Sequence, residues 1–133
     1  MPQVIRKRAG TEQRALLQTI SWQIRMRPHA WSPATDLFET DTTYIIKVEI
    51  AGMRQDDFAV VFDKGQLIVS GVRVDPSPRR GFQQMEIRYG EFSTAVAIPG
   101  PIVADEAAAE YQDGFLTVTL PKAQPNSVPI DED

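Results

Sequence analysis

From residue 36 onward the sequence predicts an antiparallel β-sandwich, and three observations carry that expectation. Apolar and polar side chains alternate with a period of two through several short runs. Turn signals stand between the runs, and prolines close several of them off. Helical spacing of apolar residues is confined to the first 30 residues. The expected architecture is therefore all-β, with a short N-terminal helical arm and a C-terminal extension.

Taken in order, the arm comes first. Leu16, Ile20 and Ile24 fall at i, i+4 and i+8 with Leu17 beside them, which predicts a helix over residues 11–25. Thr11 suits the N-cap, Glu12 the first turn, and Pro28 prevents much extension. Trp22 lies on the flank of the stripe. Such a helix either packs on its own core or serves as an exposed adhesive arm. Next, Tyr44, Ile46, Val48 and Ile50 alternate with Ile45, Lys47 and Glu49 until Gly52 breaks the run. Asp56-Asp57 reads as a capped turn ahead of the Phe58, Val60, Phe62 strand. Asp63-Lys64-Gly65 then reverses the chain into Leu67-Ile68-Val69. A proline-containing loop spans Val72 to Gly81, and a strand from Phe92 to Ile98 ends at Pro99. Asp113-Gly114 turns into Phe115–Leu120, which stops at Pro121, and Pro125 and Pro129 populate an extended tail.

Composition excludes more than it specifies. A chain of 133 residues suits one domain, and its zero cysteines rule out disulfides, thiolate zinc sites and thiolate catalysis. A catalytic triad would need His29, the single histidine, which sits in the Pro28–Ala30 junction. The eight glycines are dispersed, so neither a dinucleotide fingerprint nor a phosphate loop is present. Adjacent Asp56 and Asp57 would point to opposite faces of a strand, so they do not make a metal or acid–base pair. No catalytic, metal or cofactor residues are expected, and no enzyme.

Charge is divided unevenly. Arg6, Lys7, Arg8, Arg14, Arg25 and Arg27 face only Glu12 in the first 30 residues, a local +5 that leaves −9 for the rest of a chain of formal charge −4. An acidic body repels phosphates, so nucleic acid is not an expected partner. The closing Asp131-Glu132-Asp133 reads as a solubilising end. No apolar run approaches the roughly 18 residues of a membrane span, and none near the start suits a secretion signal. A cytoplasmic protein is expected.

Several segments resemble a known family. Trp31-Ser32-Pro33, Asp36-Leu37-Phe38-Glu39-Thr40 and Tyr44 through Gly52 are similar to the opening of the α-crystallin domain of small heat-shock proteins. Leu67 through Arg73, Glu86 through Phe92, Ala97-Ile98-Pro99 and Ala109 through Lys122 resemble later signatures of that domain, in the same order. The likeness is to the non-animal type. It implies an arm over residues 1–30, an immunoglobulin-like sandwich over 31–122 and an extension over 123–133. Departures include Ala51 for a usual proline, Val72 for glutamate, Thr94 for an arginine that makes an ion pair, and Phe115 for valine.

What the resemblance implies is an ATP-independent holdase chaperone that binds unfolding client proteins and assembles with copies of itself. Client binding falls to Leu16, Leu17, Ile20, Trp22 and Ile24. Dimers are expected to exchange a strand from the Val72–Gln84 loop, with Val74, Phe82, Gln83 and nearby Met85 at the contact. Val128-Pro129-Ile130 matches the family's pattern of two β-branched residues around one position, which docks in a groove of another subunit. Physically, alternate residues of an extended peptide project to one side and Pro129 stiffens it. Two other classes stand beside this reading. A cochaperone sandwich resembling p23 or CS domains would bind one folded chaperone, and a small β-sandwich hydrolase is the enzymatic alternative.

Overall fold

The structure, a computed structural model, describes residues 3–7, 30–77 and 81–129. The expected helix at 11–25, with Leu16, Leu17, Ile20, Trp22 and Ile24, lies outside the described residues, as do His29 and Ile130–Asp133. Among the described residues nine strands follow: β1 (Gln3–Val4), β2 (Arg6–Lys7), β3 (Thr35–Glu39), β4 (Thr43–Glu49), β5 (Phe58–Asp63), β6 (Gln66–Arg73), β7 (Gly90–Ala97), β8 (Ala108–Gln112) and β9 (Phe115–Pro121). They form a four-stranded sheet in the order β1-β5-β6-β7 and a five-stranded sheet in the order β2-β8-β9-β4-β3. The expected sandwich is what forms.

Alternation places the core between the sheets. Tyr44, Ile46 and Val48 of β4 are buried while Lys47 and Glu49 face out. Opposite them in register, Leu120, Val118 and Leu116 of β9 are buried too. The other sheet contributes Phe58, Val60, Leu67, Val69 and Phe92. The rings of Phe58 and Phe92 meet edge to face at 6.2 Å, and Phe58 lies 5.0 Å from Tyr111. Such contacts add to area burial because ring edges are positive and faces negative.

Both expected tight turns are two-residue hairpins. Lys64 (φ 52°) and Gly65 (φ 78°) join the paired residues Asp63 and Gln66, and Asp113 (φ 55°) and Gly114 (φ 84°) join Gln112 and Phe115. Two successive positive φ values match the right-handed twist of the flanking strands. Asp57 caps the short 3-10 turn Gln55–Asp57, its carboxylate accepting the Arg54 N–H at 2.9 Å. The expected loop start at Val72 is corrected: β6 runs to Arg73, because Val72 and Arg73 pair with Glu91 and Gly90 of β7.

Residues 3–7, read as part of the arm, join the sandwich instead. Gln3–Val4 extends one sheet beside β5, Arg6–Lys7 extends the other beside β8, and Ile5 between them is 1% exposed. Where the resemblance expects an arginine, Thr94 is buried and its hydroxyl lies 3.1 Å from that of Thr35. The two hydroxyls make a neutral link between the sheets. Phe115 remains on the outer side of β9, with Lys47 Nζ 4.5 Å above its ring.

Gly71 shows how tightly the sheet seats its neighbours. A Cβ there would stand 2.6 Å from the Asp57 carbonyl oxygen and 2.8 Å from the Phe92 ring. Gly71→Ala is expected to lower stability by about 1–3 kcal/mol, the usual cost of overpacking. Urea unfolding reads this as a lower midpoint at unchanged slope.

Candidate functional site

Between β6 and β7 the chain leaves the sheet and displays apolar residues. Val74 is 73% exposed, Ile87 63%, Met85 60%, and Phe82 and Gln83 are exposed as well. The root of this segment is held firmly. Arg73 Nε donates to the Arg88 carbonyl at 2.8 Å and Nη1 to the Ala51 carbonyl at 3.2 Å. Its guanidinium stacks 4.7 Å over Trp31 and 5.6 Å over Tyr89. Trp31 in turn donates its indole N–H to the Gly90 carbonyl at 3.3 Å. Val74, Phe82, Gln83 and Met85, the residues expected at a dimer contact, are thus exposed on the chain that leaves this base. An open depression of about 340 Å³ adjoins it, lined by Met53, Arg54, Asp57, Val72 and Val74 among others.

At an edge of the five-stranded sheet lies β3. It pairs with β4 on one side, and among the described residues no strand pairs with its other side. Leu37 and Phe38 on this edge are exposed. A strand edge offers unpaired N–H and C=O groups, and apolar side chains beside it invite a second chain. Leu37, Phe38 and Ile87 were missed as surface residues. Their signal was available in Leu37-Phe38, since adjacent apolar residues on a strand cannot both face one core.

The tail is anchored before its motif begins. Lys122 buries its side chain to 1% exposure, with Nζ 2.6 Å from Glu39 and 2.7 Å from the Asn126 side-chain oxygen. The same ammonium lies 5.0 Å from the Tyr44 ring. Asp41, in the turn between β3 and β4, accepts the Asn126 N–H on its carbonyl at 2.9 Å and the Val128 N–H on its carboxylate at 2.8 Å. Val128 is half-buried there and Pro129 exposed, so the structure describes two of the three motif residues on their own subunit. The sequence reading did not single out Lys122, Glu39 or Asp41, since the contact between residues 39 and 122 is long-range.

Among the described residues no group of three or more His, Cys, Asp or Glu is placed to hold a metal ion. No helix among them is long and apolar enough to cross a membrane. What the geometry offers is surface for other chains: an outward apolar segment, an open strand edge and a tethered peptide.

Comparison with known proteins shows the family. The profile of the Hsp20/alpha crystallin family matches residues 36–131. The chain belongs to that family. Heat shock protein 16 from Schizosaccharomyces pombe is 37% identical over 101 residues, covering 73% of this chain and 71% of that protein. Small heat shock protein C2 from Rickettsia felis is 31% identical over 69% of this chain and 61% of its own. Among solved structures, heat shock protein 16.0 from S. pombe superposes with a TM-score of 0.67 at 34% identity, covering 77% of this chain and 96% of that one. The hspA protein from Xanthomonas axonopodis gives 0.66 at 29% identity, covering 71% and 97%. Membership of the Hsp20/alpha crystallin family, with relatives named as heat shock proteins, supports a chaperone role.

Lys122→Ala in this family member is expected to cost about 1.5–3 kcal/mol, the scale of hydrogen bonds to charged groups. It removes the partner of Glu39 and one anchor of the tail. Chemical denaturation measures the first loss, and faster amide exchange at Val128 measures the second.

Proposed function

We propose that the chain is an ATP-independent holdase that captures unfolding proteins and assembles with copies of itself. The observations that carry this reading are the exposed apolar side chains between Val74 and Ile87 and a β3 edge that no described strand pairs with, in the fold of this family. Dimers form when that segment of one subunit lies along β3 of another, with Met85 and Ile87 against Leu37 and Phe38. Higher assembly uses Val128-Pro129-Ile130. One such tail binds weakly, since each buried β-branched side chain contributes about 1.5–3 kcal/mol before ordering costs, but many tails together hold a shell. Clients with exposed apolar patches bind the arm residues Leu16, Leu17, Ile20, Trp22 and Ile24. The acidic body keeps the complex in solution.

Two measurements test this. Substoichiometric protein should suppress thermal aggregation of an unrelated enzyme without ATP; unchanged aggregation at equimolar protein defeats the holdase reading. Met85→Glu with Ile87→Glu places two carboxylates where the partner's apolar edge should sit. Light scattering is then expected to report monomers, while the melting of the sandwich itself stays within a few degrees of wild type. An unaltered mass would exclude this segment from the dimer contact.

A further inference from the structure

The two sheets differ on the faces they turn away from the core. Phe58 and Val60 of β5 and Leu67 and Val69 of β6 point inward, so Ala59, Val61 and Asp63 of β5, with Ile68 and Ser70 of β6, point outward. Yet Ala59, Val61 and Ser70 are each 1% exposed, Asp63 is 6% exposed and Ile68 is half-buried. On the outer face of the five-stranded sheet, Ile45, Lys47 and Glu49 of β4 and Phe115, Thr117 and Thr119 of β9 are all half-buried or exposed. Neighbours within a sheet therefore do not hide such a face by themselves. The burial is centred on β5 and β6 and stops short of β7, whose Ala95 and Ala97 are exposed on the same face. Among the described residues every strand already lies in one of the two sheets, so none is left to cover this patch.

We propose that the outer face of β5 and β6 is the docking surface for the apolar stripe of residues 11–25 of the same chain. Connectivity brings the stripe to it. Arg6 and Lys7 pair with β8 on one side of the sandwich, and Trp31 bridges Phe92 of β7 on the other. Residues 8–29, outside the described residues, connect these two points. At about 3.3 Å per residue they are long enough to pass over either sheet, and the burial selects the four-stranded one. The shapes suit each other. Val4, Val61 and Ile68 stand in register across β1, β5 and β6 as an apolar row, and Ala59 and Ser70 form a shallower row beside it. Leu16, Leu17, Ile20 and Ile24, at helical spacing, supply a ridge to fill that relief. Charge agrees as well. Asp63 is the one acidic residue buried among the described residues, and a buried carboxylate calls for an opposite charge. The arm carries Arg8, Arg14, Arg25 and Arg27 against Glu12 alone. The docking does not rest on the client reading but deepens it, since the sheet face and a client would compete for the same side chains.

The chain has no cysteine, so introduced thiols report on this face alone. In the full chain, Ser70→Cys should react with a maleimide roughly tenfold more slowly than Ala95→Cys on the same face. Adding Leu17→Asp and Ile20→Asp should speed the labelling of Ser70→Cys by about the same factor. Equal rates for the two single variants overturn the covered face, and a slow rate that survives both stripe substitutions overturns the stripe as its cover. Should the stripe variant fail to fold, cross-linking gives the answer with the other stripe residues intact. Ser70→Cys with Ile20→Cys, treated with a short bismaleimide, should give a link within one chain. A link found solely between chains places the stripe of a second copy on this face and overturns the same-chain assignment, and absence of any link overturns the docking. Suppression of thermal aggregation by the same variants is scored apart, so failed docking leaves the holdase reading standing.

Discussion

A sandwich of two separate sheets cannot close on itself, and its backbone edges must be covered, spoiled or used. The rest of this structure follows from how each edge is treated. On one side, a single strap of residues 3–7 serves both sheets, pairing with β5 and β8 and inserting Ile5 between them. At β7, Trp31 takes up the edge: its N–H donates to the Glu91 carbonyl at 3.0 Å, and its own carbonyl accepts the Ser93 N–H at 2.9 Å. At β3, among the described residues, no strand covers the edge, and the apolar pair Leu37-Phe38 stands on it. Among the described residues β3 is thus the edge left open, while a short segment covers β5 and β8.

The loop between β6 and β7 has to be exposed and yet correctly aimed. Arg73 reconciles the two. Because it ends β6, its guanidinium reaches the carbonyls of Arg88 and Ala51 and stacks on Trp31 and Tyr89 at once. A rigid root under an apolar tip lowers the ordering entropy that a partner must overcome, which is what preorganisation contributes to association. Trp31 thereby covers the β7 edge and supports the loop root together.

Much of this fold was legible because local signals agreed with the global pattern. The alternation at Tyr44–Ile50 and the turns at Lys64-Gly65 and Asp113-Gly114 needed no tertiary context, since period and positive φ are written in neighbouring residues. Four strands were not read as strands from periodicity. In β8, Ala108 and Ala109 carry little β propensity, and the strand exists through its pairing with β9. In β3, Asp36, Leu37 and Phe38 are all exposed, so no alternation was present to read. The strap pairs with residues some 55 to 100 positions away, and two-residue strands have no period at all. The candidate site divided in the same way. Val74, Phe82, Gln83 and Met85 were named through the family resemblance alone, whereas Lys122, Glu39 and Asp41 meet only once the chain has folded.

The anchoring of the tail alters how its weak motif can work. A free tether after Lys122 would let Val128-Pro129-Ile130 search all directions, and its effective concentration near any neighbour would be diluted over that volume. Instead, the Lys122–Asn126 bond and the two bonds from Asp41 fix the chain through Val128 on the β3–β4 turn. Only the residues beyond Val128 remain beyond these anchors, so the motif is presented from a fixed origin beside the open β3 edge. Any displacement of the Thr40–Thr43 turn would bear directly on the Asp41 contacts that hold Val128. The turn that joins β3 to β4 is thus also the turn that holds the tail, so the β3 edge and the tail anchor share one four-residue segment.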